Sequence, residues 1–180
     1  MVLHEKRVDF EINEVDLSNK SEEFLAASPT GKVPVMVVDG DSLYESNIVN
    51  QYLDEVTGEP KLMPEDPTRR AYARIWMAFA DTDFFPAVFV ASVRRDRGFS
   101  EEQISEALEK LKTTLGKLEE RLKDREYLVD RFSLADVAYA GNFVRLRELE
   151  ERADIALADY PNVAAWIERI EERESYRAAV

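Results

Sequence analysis

The stretch SPTGKVPVMVVDGDSLYES, residues 28–46, sets the organisation of this chain. Four β-prone residues, Val35–Val38, predict a short buried strand, and the Asp-Gly pair that follows is a strong hairpin signal because glycine tolerates positive φ. Leu43 and Tyr44 then form the predicted return strand. Ser46 precedes apolar residues at helical spacing, so we expect its hydroxyl to cap the next helix.

The Val-Pro pair at the mouth of this hairpin predicts a binding site. Pro34 cannot donate to a β-ladder and is disfavoured there unless its peptide bond is cis. That arrangement would leave the main-chain groups of Val33 free to pair with an extended peptide by strand addition. Glu45 and Ser46 stand at a helix N-terminus, where N–H groups and the helix dipole suit a carboxylate. We therefore expect peptide backbone and carboxylate to bind side by side.

Three groups of motifs carry a family resemblance. Thr30–Pro34, the Asp-Gly hairpin and Leu43–Ser46 resemble the glutathione-site signature of the glutathione S-transferase superfamily. Phe132–Asp136 and Tyr160–Trp166 resemble the C-terminal signatures of the same family, in the same order. The resemblance implies an α/β thioredoxin-like N-terminal domain followed by an all-α C-terminal helical domain, and a homodimer.

The expected domain boundaries follow from composition. Residues 1–58 are the expected thioredoxin-like glutathione-binding domain, 59–67 the linker and 68–180 the all-helical domain. The linker contains three prolines, a shift in composition typical of an interdomain segment. Within the first domain, alternation of apolar and polar residues over 8–13 predicts a half-buried strand. Ser21 opens a predicted short helix that ends before Pro29.

Helical signals dominate after the linker. Asp66 and Pro67 are a favourable helix opening, with aspartate as N-cap and proline at the first helical position. Pro86 is expected to kink or interrupt this helix near Phe84. A capping box of Ser100 and Gln103 opens the next predicted helix. Each of the two helices has a set of residues on one face, expected in the core or an interface. In the first helix the set is Tyr72, Ile75, Trp76, Phe79 and Ala80. In the second helix it is Ile104, Leu108, Leu111, Leu115, Leu118 and Leu122.

Ser133 and Asp136 form a second predicted capping box. The Ser133 hydroxyl can accept from the backbone at Asp136, whose carboxylate can reach back to the Ser133 N–H. Phe132 and Val137 have the spacing of a hydrophobic staple. These features predict a role in folding rather than in catalysis.

The resemblance also implies site residues. Glutathione would lie along Val33 and Pro34, with Lys32 near its glycyl carboxylate and with Glu45 and Ser46 holding its γ-glutamyl end. A small electrophile would bind against Trp76, Phe79 and Phe85 of the helical domain.

The start of the sequence departs from the family pattern. In glutathione transferases a first strand carrying the catalytic Tyr, Ser or Cys precedes the stretch that Val2–Lys6 resembles, so no catalytic residue is assigned. Either Met1 is an internal methionine of a longer protein, or this is a real short form that binds without catalysing. As it stands, we expect the chain to bind glutathione weakly and to conjugate it poorly, if at all.

The sequence also indicates an alternative function of a different class. Four stretches, Val2–Lys6, Val8–Ile12, Val15–Leu17 and Tyr44–Val49, resemble stringent starvation protein A, a relative that binds RNA polymerase. A non-catalytic regulator of that type would bind RNA polymerase or another protein near Phe84–Pro86. A Tyr or Ser upstream of Met1 would favour the enzyme, and bulky apolar residues there would favour the binder.

Composition excludes several classes of function. The 24 basic and 37 acidic residues give a net charge of −13, which argues against direct nucleic-acid binding. The absence of cysteine removes disulfides and thiolate chemistry, and a single histidine, His4, cannot form a metal site by itself. Without a long apolar run or a signal peptide, we expect a cytoplasmic protein with no membrane or metal association.

Overall fold

The computed structural model describes residues 1–93 and 97–180, and the chain divides into two compact units, Met1–Lys61 and Leu62–Val180. The elements of the first unit are α1 (Val2–Lys6), α2 (Glu22–Ala27), β1 (Val35–Val38), β2 (Asp41–Tyr44) and α3 (Ser46–Val56). The elements of the second unit are α4 (Pro67–Phe79), α5 (Phe85–Val93), α6 (Glu101–Leu122), α7 (Leu134–Ala140), α8 (Phe143–Glu151), α9 (Pro161–Glu171) and α10 (Glu174–Arg177).

The predicted hairpin is confirmed. β1 and β2 pair antiparallel, from Val35 opposite Tyr44 to Val38 opposite Asp41. Asp39 and Gly40 connect them with φ values of 51° and 92°, the left-handed backbone that a two-residue hairpin turn requires. The prediction that β1 is buried is wrong, since Val37 is 57% exposed. Within the described residues β1 pairs only with β2, so its other edge and one face are left open.

The strand predicted over residues 8–13 is also wrong. These residues form an irregular loop, and Ile12, on the expected inward face, is 76% exposed. Alternating side chains make a strand only where a neighbouring strand accepts the backbone hydrogen bonds. In the described part of the chain, the only pairing is that of β1 with β2.

A buried lysine holds the N-terminal unit together. Lys6, at the end of α1, is inaccessible, and its ammonium donates to the Asp54 carboxylate of α3 at 2.9 Å. The same ammonium donates to the carbonyls of Gly58 at 2.6 Å and Pro60 at 2.7 Å. Because all three of its donors are used, the charge is compensated in a site that water does not reach. Lys6 therefore fixes α1 to the C-terminal end of α3 and the loop beyond it.

Helix α4 begins as predicted but buries a different face. Asp66 is its N-cap and accepts from the Arg69 N–H at 2.9 Å, with Pro67 at the first helical position. The buried residues of α4 are Ala73 and Met77, whereas Ile75 is 58% exposed. Of the five residues expected to share a core face, Ala80 is buried, Trp76 and Phe79 are half-buried, and Tyr72 and Ile75 are exposed.

The predicted interruption at Pro86 is confirmed. Ala80–Phe84 forms a π-helical turn, in which the Phe85 N–H bonds to the Ala80 carbonyl, and α5 follows. Since Pro86 has no N–H, it cannot satisfy the Thr82 carbonyl. The Lys110 ammonium of α6 donates to that carbonyl at 3.2 Å. A neighbouring helix thus replaces the hydrogen bond that proline removes.

The segment Pro67–Val93 is long and apolar enough, by length and composition, to cross a membrane. Packing within the C-terminal unit buries part of this segment, because α4 contacts α7 and α5 contacts α6 and α8. Ala73, Phe84 and Val88 are completely buried there. We therefore describe the segment as a core element of the C-terminal unit.

The predicted helix with an apolar stripe is confirmed as α6. The capping box of Ser100 and Gln103 is formed, and five of the six stripe residues are buried, with Leu108 half-buried.

A carboxylate on α6 caps another helix. Glu119 accepts from the N–H groups of Asn162 at 3.1 Å and Val163 at 3.0 Å, the first turn of α9. The negative charge is favourable there because a helix N-terminus presents free donors and a positive dipole.

The predicted capping box of Ser133 and Asp136 is confirmed, and Asp136 does more than cap. Its buried carboxylate accepts from the Ser133 N–H at 2.9 Å and the Ser133 hydroxyl at 3.0 Å. It also accepts from the Leu128 N–H at 3.0 Å and from the Trp166 indole N–H of α9 at 2.9 Å. Burial raises the pKa of Asp136 to about 6, although these hydrogen bonds act to lower the pKa.

Replacing Lys6 by Met should destabilise the N-terminal unit by roughly 3–5 kcal/mol, because the Asp54 carboxylate and the carbonyls of Gly58 and Pro60 all lose the buried ammonium. Native-state hydrogen exchange of the α1 and α3 amides measures this loss. Lys20→Met removes an exposed lysine from the same unit and is the control, with an expected change within about 0.5 kcal/mol. Equal effects of the two substitutions would show that the buried contacts of Lys6 do not stabilise this unit.

The pKa of Asp136 predicts how stability depends on pH. Because the folded-state pKa of about 6 exceeds the 3.8 of an unperturbed aspartate, the folded protein binds the proton more readily between these values. Relative to Asp136→Asn, the wild type should therefore gain stability as pH falls from about 7 to 4, by on the order of 2–3 kcal/mol. Urea unfolding followed by tryptophan fluorescence measures the difference. A gain in stability as pH rises would mean that the hydrogen bonds lower the pKa of Asp136 by more than burial raises it.

Candidate functional site

The register of the hairpin brings the predicted site residues to one end. Val35 pairs with Tyr44 as the last pair of the ladder. The residues that precede β1, Lys32–Pro34, and those that follow β2, Glu45 and Ser46, therefore leave the sheet at the same end. This is the juxtaposition that the sequence predicts, and we call it the hairpin end.

Val33 offers free backbone at the hairpin end. Its peptide bond to Pro34 is cis, as expected, and the residue is 50% exposed. Within residues 1–93 and 97–180, its N–H and C=O form no hydrogen bond. An exposed donor and acceptor on one residue can pair with the backbone of an extended peptide.

The loop before Val33 is fixed by the buried Ser28. The Ser28 hydroxyl donates to the Lys32 carbonyl at 2.8 Å and accepts from the Lys32 N–H at 3.1 Å. Gly31 adopts a left-handed φ of 61°, and its N–H donates to the Ser28 carbonyl at 2.9 Å. These bonds hold Lys32 immediately before Val33, so its backbone does not depend on a ligand.

Glu45 takes the place at the helix start that was predicted for Ser46. The Glu45 carbonyl accepts from the N–H groups of Ile48 at 2.9 Å and Val49 at 3.0 Å, which makes Glu45 the N-cap of α3. Ser46 is the first helical residue, and the prediction that it caps is therefore wrong. Within the part of the chain that the structure describes, its hydroxyl forms no hydrogen bond and is available to a ligand.

The backbone of Glu45 is unusual for a residue with a side chain. Its φ of 66° and ψ of 112° lie in a sparsely populated region. Such conformations cost on the order of 1–3 kcal/mol and persist where the surroundings impose them, often at binding sites. The conformation sets Glu45 at the turn between β2 and α3.

A second lysine lies at the same loop and was missed by the sequence analysis. A β-carbon added at Gly31 would lie 3.6 Å from the Lys20 ammonium. Neither Lys20 nor Lys32 forms an ion pair within the described residues. The Lys20 ammonium therefore lies close to the loop that precedes Val33. No local pattern indicates Lys20, because ten residues separate it from Gly31 and only the fold brings them together.

The residues predicted to contact an electrophile belong to two ring clusters of the C-terminal unit. Trp76 and Phe79 are in edge-to-face contact, with ring centroids 5.6 Å apart. Phe85 instead contacts Phe89, with centroids 5.7 Å apart. The Lys117 ammonium lies 5.0 Å from the Phe79 ring, which places a cation beside the first cluster.

Comparison with known families matches both units. Residues 1–56 match the N-terminal domain of glutathione S-transferase, and residues 82–174 match the C-terminal domain. Glutathione S-transferase U19 of Arabidopsis thaliana is 34% identical over 180 residues, which cover 97% of this chain and 80% of that protein. A probable glutathione S-transferase of Solanum tuberosum is 35% identical over 166 residues, covering 89% and 74% respectively.

Solved structures show the same fold. A glutathione S-transferase from Methylobacillus flagellatus with GSH bound has a TM-score of 0.80 and 33% identity, covering 98% of this chain and 89% of that one. The β-etherase from Sphingobium sp. strain SYK-6 has a TM-score of 0.83 and 26% identity, covering 98% and 90%. These four relatives give no support to the narrower resemblance to stringent starvation protein A, or to RNA polymerase as a partner. The chain belongs to the glutathione S-transferase superfamily.

Proposed function

We propose that this chain binds glutathione at the hairpin end. The observation that carries the proposal is the combination of free backbone at Val33 with a strained Glu45 and an unengaged Ser46 hydroxyl. Glutathione is a γ-glutamyl-cysteinyl-glycine peptide with an amide backbone, an ammonium group and two carboxylates. The hairpin end offers a complementary group for each of them.

The backbone of Val33 would pair with the cysteinyl residue of glutathione. Its N–H donates and its C=O accepts, as in the addition of a strand to a sheet edge. Pro34 follows without a donor of its own, so the recognition of peptide backbone rests on Val33.

The charged ends of glutathione would find opposite charges or donors. At the start of α3, the Ser46 hydroxyl and the positive end of the helix dipole suit the γ-glutamyl carboxylate, and the Glu45 carboxylate suits the neighbouring ammonium. Lys32 and Lys20 suit the glycyl carboxylate. The relative from Methylobacillus flagellatus, which carries GSH, supports this choice of ligand.

We extend the proposal to an electrophilic small molecule as the second substrate, in contact with Trp76, Phe79 and Phe85. Half-buried aromatic rings suit apolar electrophiles, and Phe85 is 45% exposed. We assign no catalytic residue among the described residues, so conjugation rests on membership of the family. A homodimer in the cytoplasm is also proposed, with the exposed Ile48 and Ile75 as apolar surface for a second copy.

Isothermal titration with reduced glutathione tests the site. We expect a dissociation constant between about 1 μM and 1 mM. Ser46→Ala should weaken binding about tenfold or more through loss of a charge-assisted hydrogen bond, yet leave stability unchanged because Ser46 does not cap α3. Glu55→Ala, an exposed acid elsewhere on α3, is the control and should bind as the wild type does.

The two ends of glutathione can be tested separately. Lys32→Ala should weaken the binding of glutathione but not that of its glycyl monoethyl ester, in which the glycyl carboxylate carries no charge. No binding by the folded wild type, or the same loss in Glu55→Ala as in Ser46→Ala, would refute the proposed site.

The strained backbone of Glu45 gives a further prediction. Glu45→Gly should be more stable than Glu45→Ala by about 1 kcal/mol, because glycine adopts positive φ without steric cost. Hydrogen exchange of the α3 amides measures the difference. Both variants should lose glutathione affinity, since both lack the carboxylate. Equal stabilities would show that the backbone at Glu45 stores no strain.

A further inference from the structure

The turn that connects β1 to β2 carries the only Asp-Gly pair of the sequence, Asp39 and Gly40. Both residues are exposed, and they lie at the opposite end of the ladder from the hairpin end. No function described above uses them. Because glycine has no β-carbon, its nitrogen is the least hindered neighbour that an aspartate side chain can have. The pair is therefore open to a reaction between a side chain and its own backbone.

The fold leaves both reacting groups free. The Asp39 side chain forms no hydrogen bond or ion pair within residues 1–93 and 97–180, and the Gly40 N–H forms no hydrogen bond there. A β-carbon added at Gly40 would meet nothing within 4 Å. The side-chain carboxyl carbon of Asp39 can therefore meet the Gly40 nitrogen without either group giving up a hydrogen bond.

Asp124 provides a comparison within the same chain. Like Asp39 it is exposed and has a left-handed φ, of 58° against 51°. The nitrogen that follows it belongs to Arg125, whose N–H donates to the Leu122 carbonyl at 2.9 Å. A reaction at Asp124 would have to break this bond and would meet the Arg125 side chain. The two aspartates thus share a value of φ but differ in the freedom of the next nitrogen.

The reaction that this freedom permits needs only water. The Gly40 nitrogen forms a bond to Cγ of Asp39 and the Cγ–hydroxyl bond breaks, so that the amide hydrogen and the hydroxyl leave together as one water molecule. The product is a cyclic succinimide. A second water molecule then opens the ring. Addition at Cγ restores aspartate, whereas addition at the main-chain carbonyl carbon breaks its bond to nitrogen and gives isoaspartate.

We propose that Asp39 is a site of spontaneous isoaspartate formation in the folded protein, and that the product loosens the hairpin. In isoaspartate the main chain runs through Cβ and Cγ, which adds one atom to a two-residue turn whose backbone must match the twist of its strands. The pair next to the turn is Val38 and Asp41. A two-stranded sheet is marginal by itself, so weaker pairing beside the turn affects the whole ladder.

Incubation of the folded chain at neutral pH in heavy-oxygen water tests the site. Each passage through the succinimide incorporates one oxygen atom from the solvent, which mass spectrometry of peptides digested in ordinary water detects. Isoaspartyl and aspartyl peptides also separate by chromatography. We expect isoaspartate at Asp39 to exceed that at Asp124 by about tenfold or more, because the Arg125 nitrogen must first lose its hydrogen bond.

A pair of matched variants tests the chemistry. Asp39→Asn keeps the turn, since Asn-Gly is favoured in the same turn type, and should form isoaspartate about tenfold or more faster because a carboxamide reacts more readily than a carboxylate. Asp124→Asn is the control and should leave the rate at residue 39 unchanged. Circular dichroism checks that both variants fold.

Hydrogen exchange tests the effect on the hairpin. In an aged sample, the isoaspartyl and aspartyl forms of the peptide that contains β1 and β2 are separated and compared. The strand amides should exchange about tenfold or more faster in the isoaspartyl form, whereas the amides of α6 should exchange alike in fresh and aged protein. Four results would each overturn the proposal: Asp39 gains no solvent oxygen, Asp124 reacts as fast, Asp39→Asn is no faster than the wild type, or the two forms of the hairpin exchange alike.

Discussion

The buried carboxylate of Asp136 is the interaction on which the C-terminal unit depends. It accepts from backbone N–H groups at Leu128 and Ser133, from the Ser133 hydroxyl and from the Trp166 indole. Each of these donors, left buried without an acceptor, would cost about 1–3 kcal/mol. One side chain thereby joins the start of α7, the loop before it and the middle of α9. The same carboxylate fixes the Leu128 peptide, whose carbonyl accepts from the Arg121 Nε–H at 2.8 Å.

The N-terminal unit uses a different means of stabilisation because its sheet is small. A two-stranded sheet is marginal by itself and needs support from packing or from buried polar contacts. The Lys6 ammonium provides such support by joining α1, α3 and the following loop. The hairpin end can then keep free backbone at Val33 and a strained Glu45, both of which reduce stability. Stability and recognition are thus placed at different positions of one small unit.

The 37 acidic residues of this chain outnumber its 24 basic ones. The resulting net charge of −13 opposes the approach of anions over much of the surface. A site for a carboxylate therefore needs local cations that the protein's own acids do not neutralise. Lys20 and Lys32 lie at the loop before Val33, and neither forms an ion pair within the described residues.

The sequence by itself determined those features whose interactions are local. Three kinds of feature depend on residues within about five positions and could therefore be predicted from the sequence. They are the hairpin turn, the caps at Asp66, Ser100 and Ser133, and the interruption at Pro86. The apolar stripe of α6 could also be predicted, because apolar residues recur at helical spacing over a helix of 22 residues.

Only the tertiary structure decided the features that need a distant partner. Residues 8–13 alternate as a strand does, but a strand exists only where another backbone accepts its hydrogen bonds. Ser46 has the residue type of a cap, yet the unusual backbone of Glu45 moves the helix start by one residue. The burial of Lys6 and the approach of Lys20 to Gly31 join residues that lie far apart in the sequence. Such contacts follow from the packing of whole elements, which no local spacing of residue types encodes.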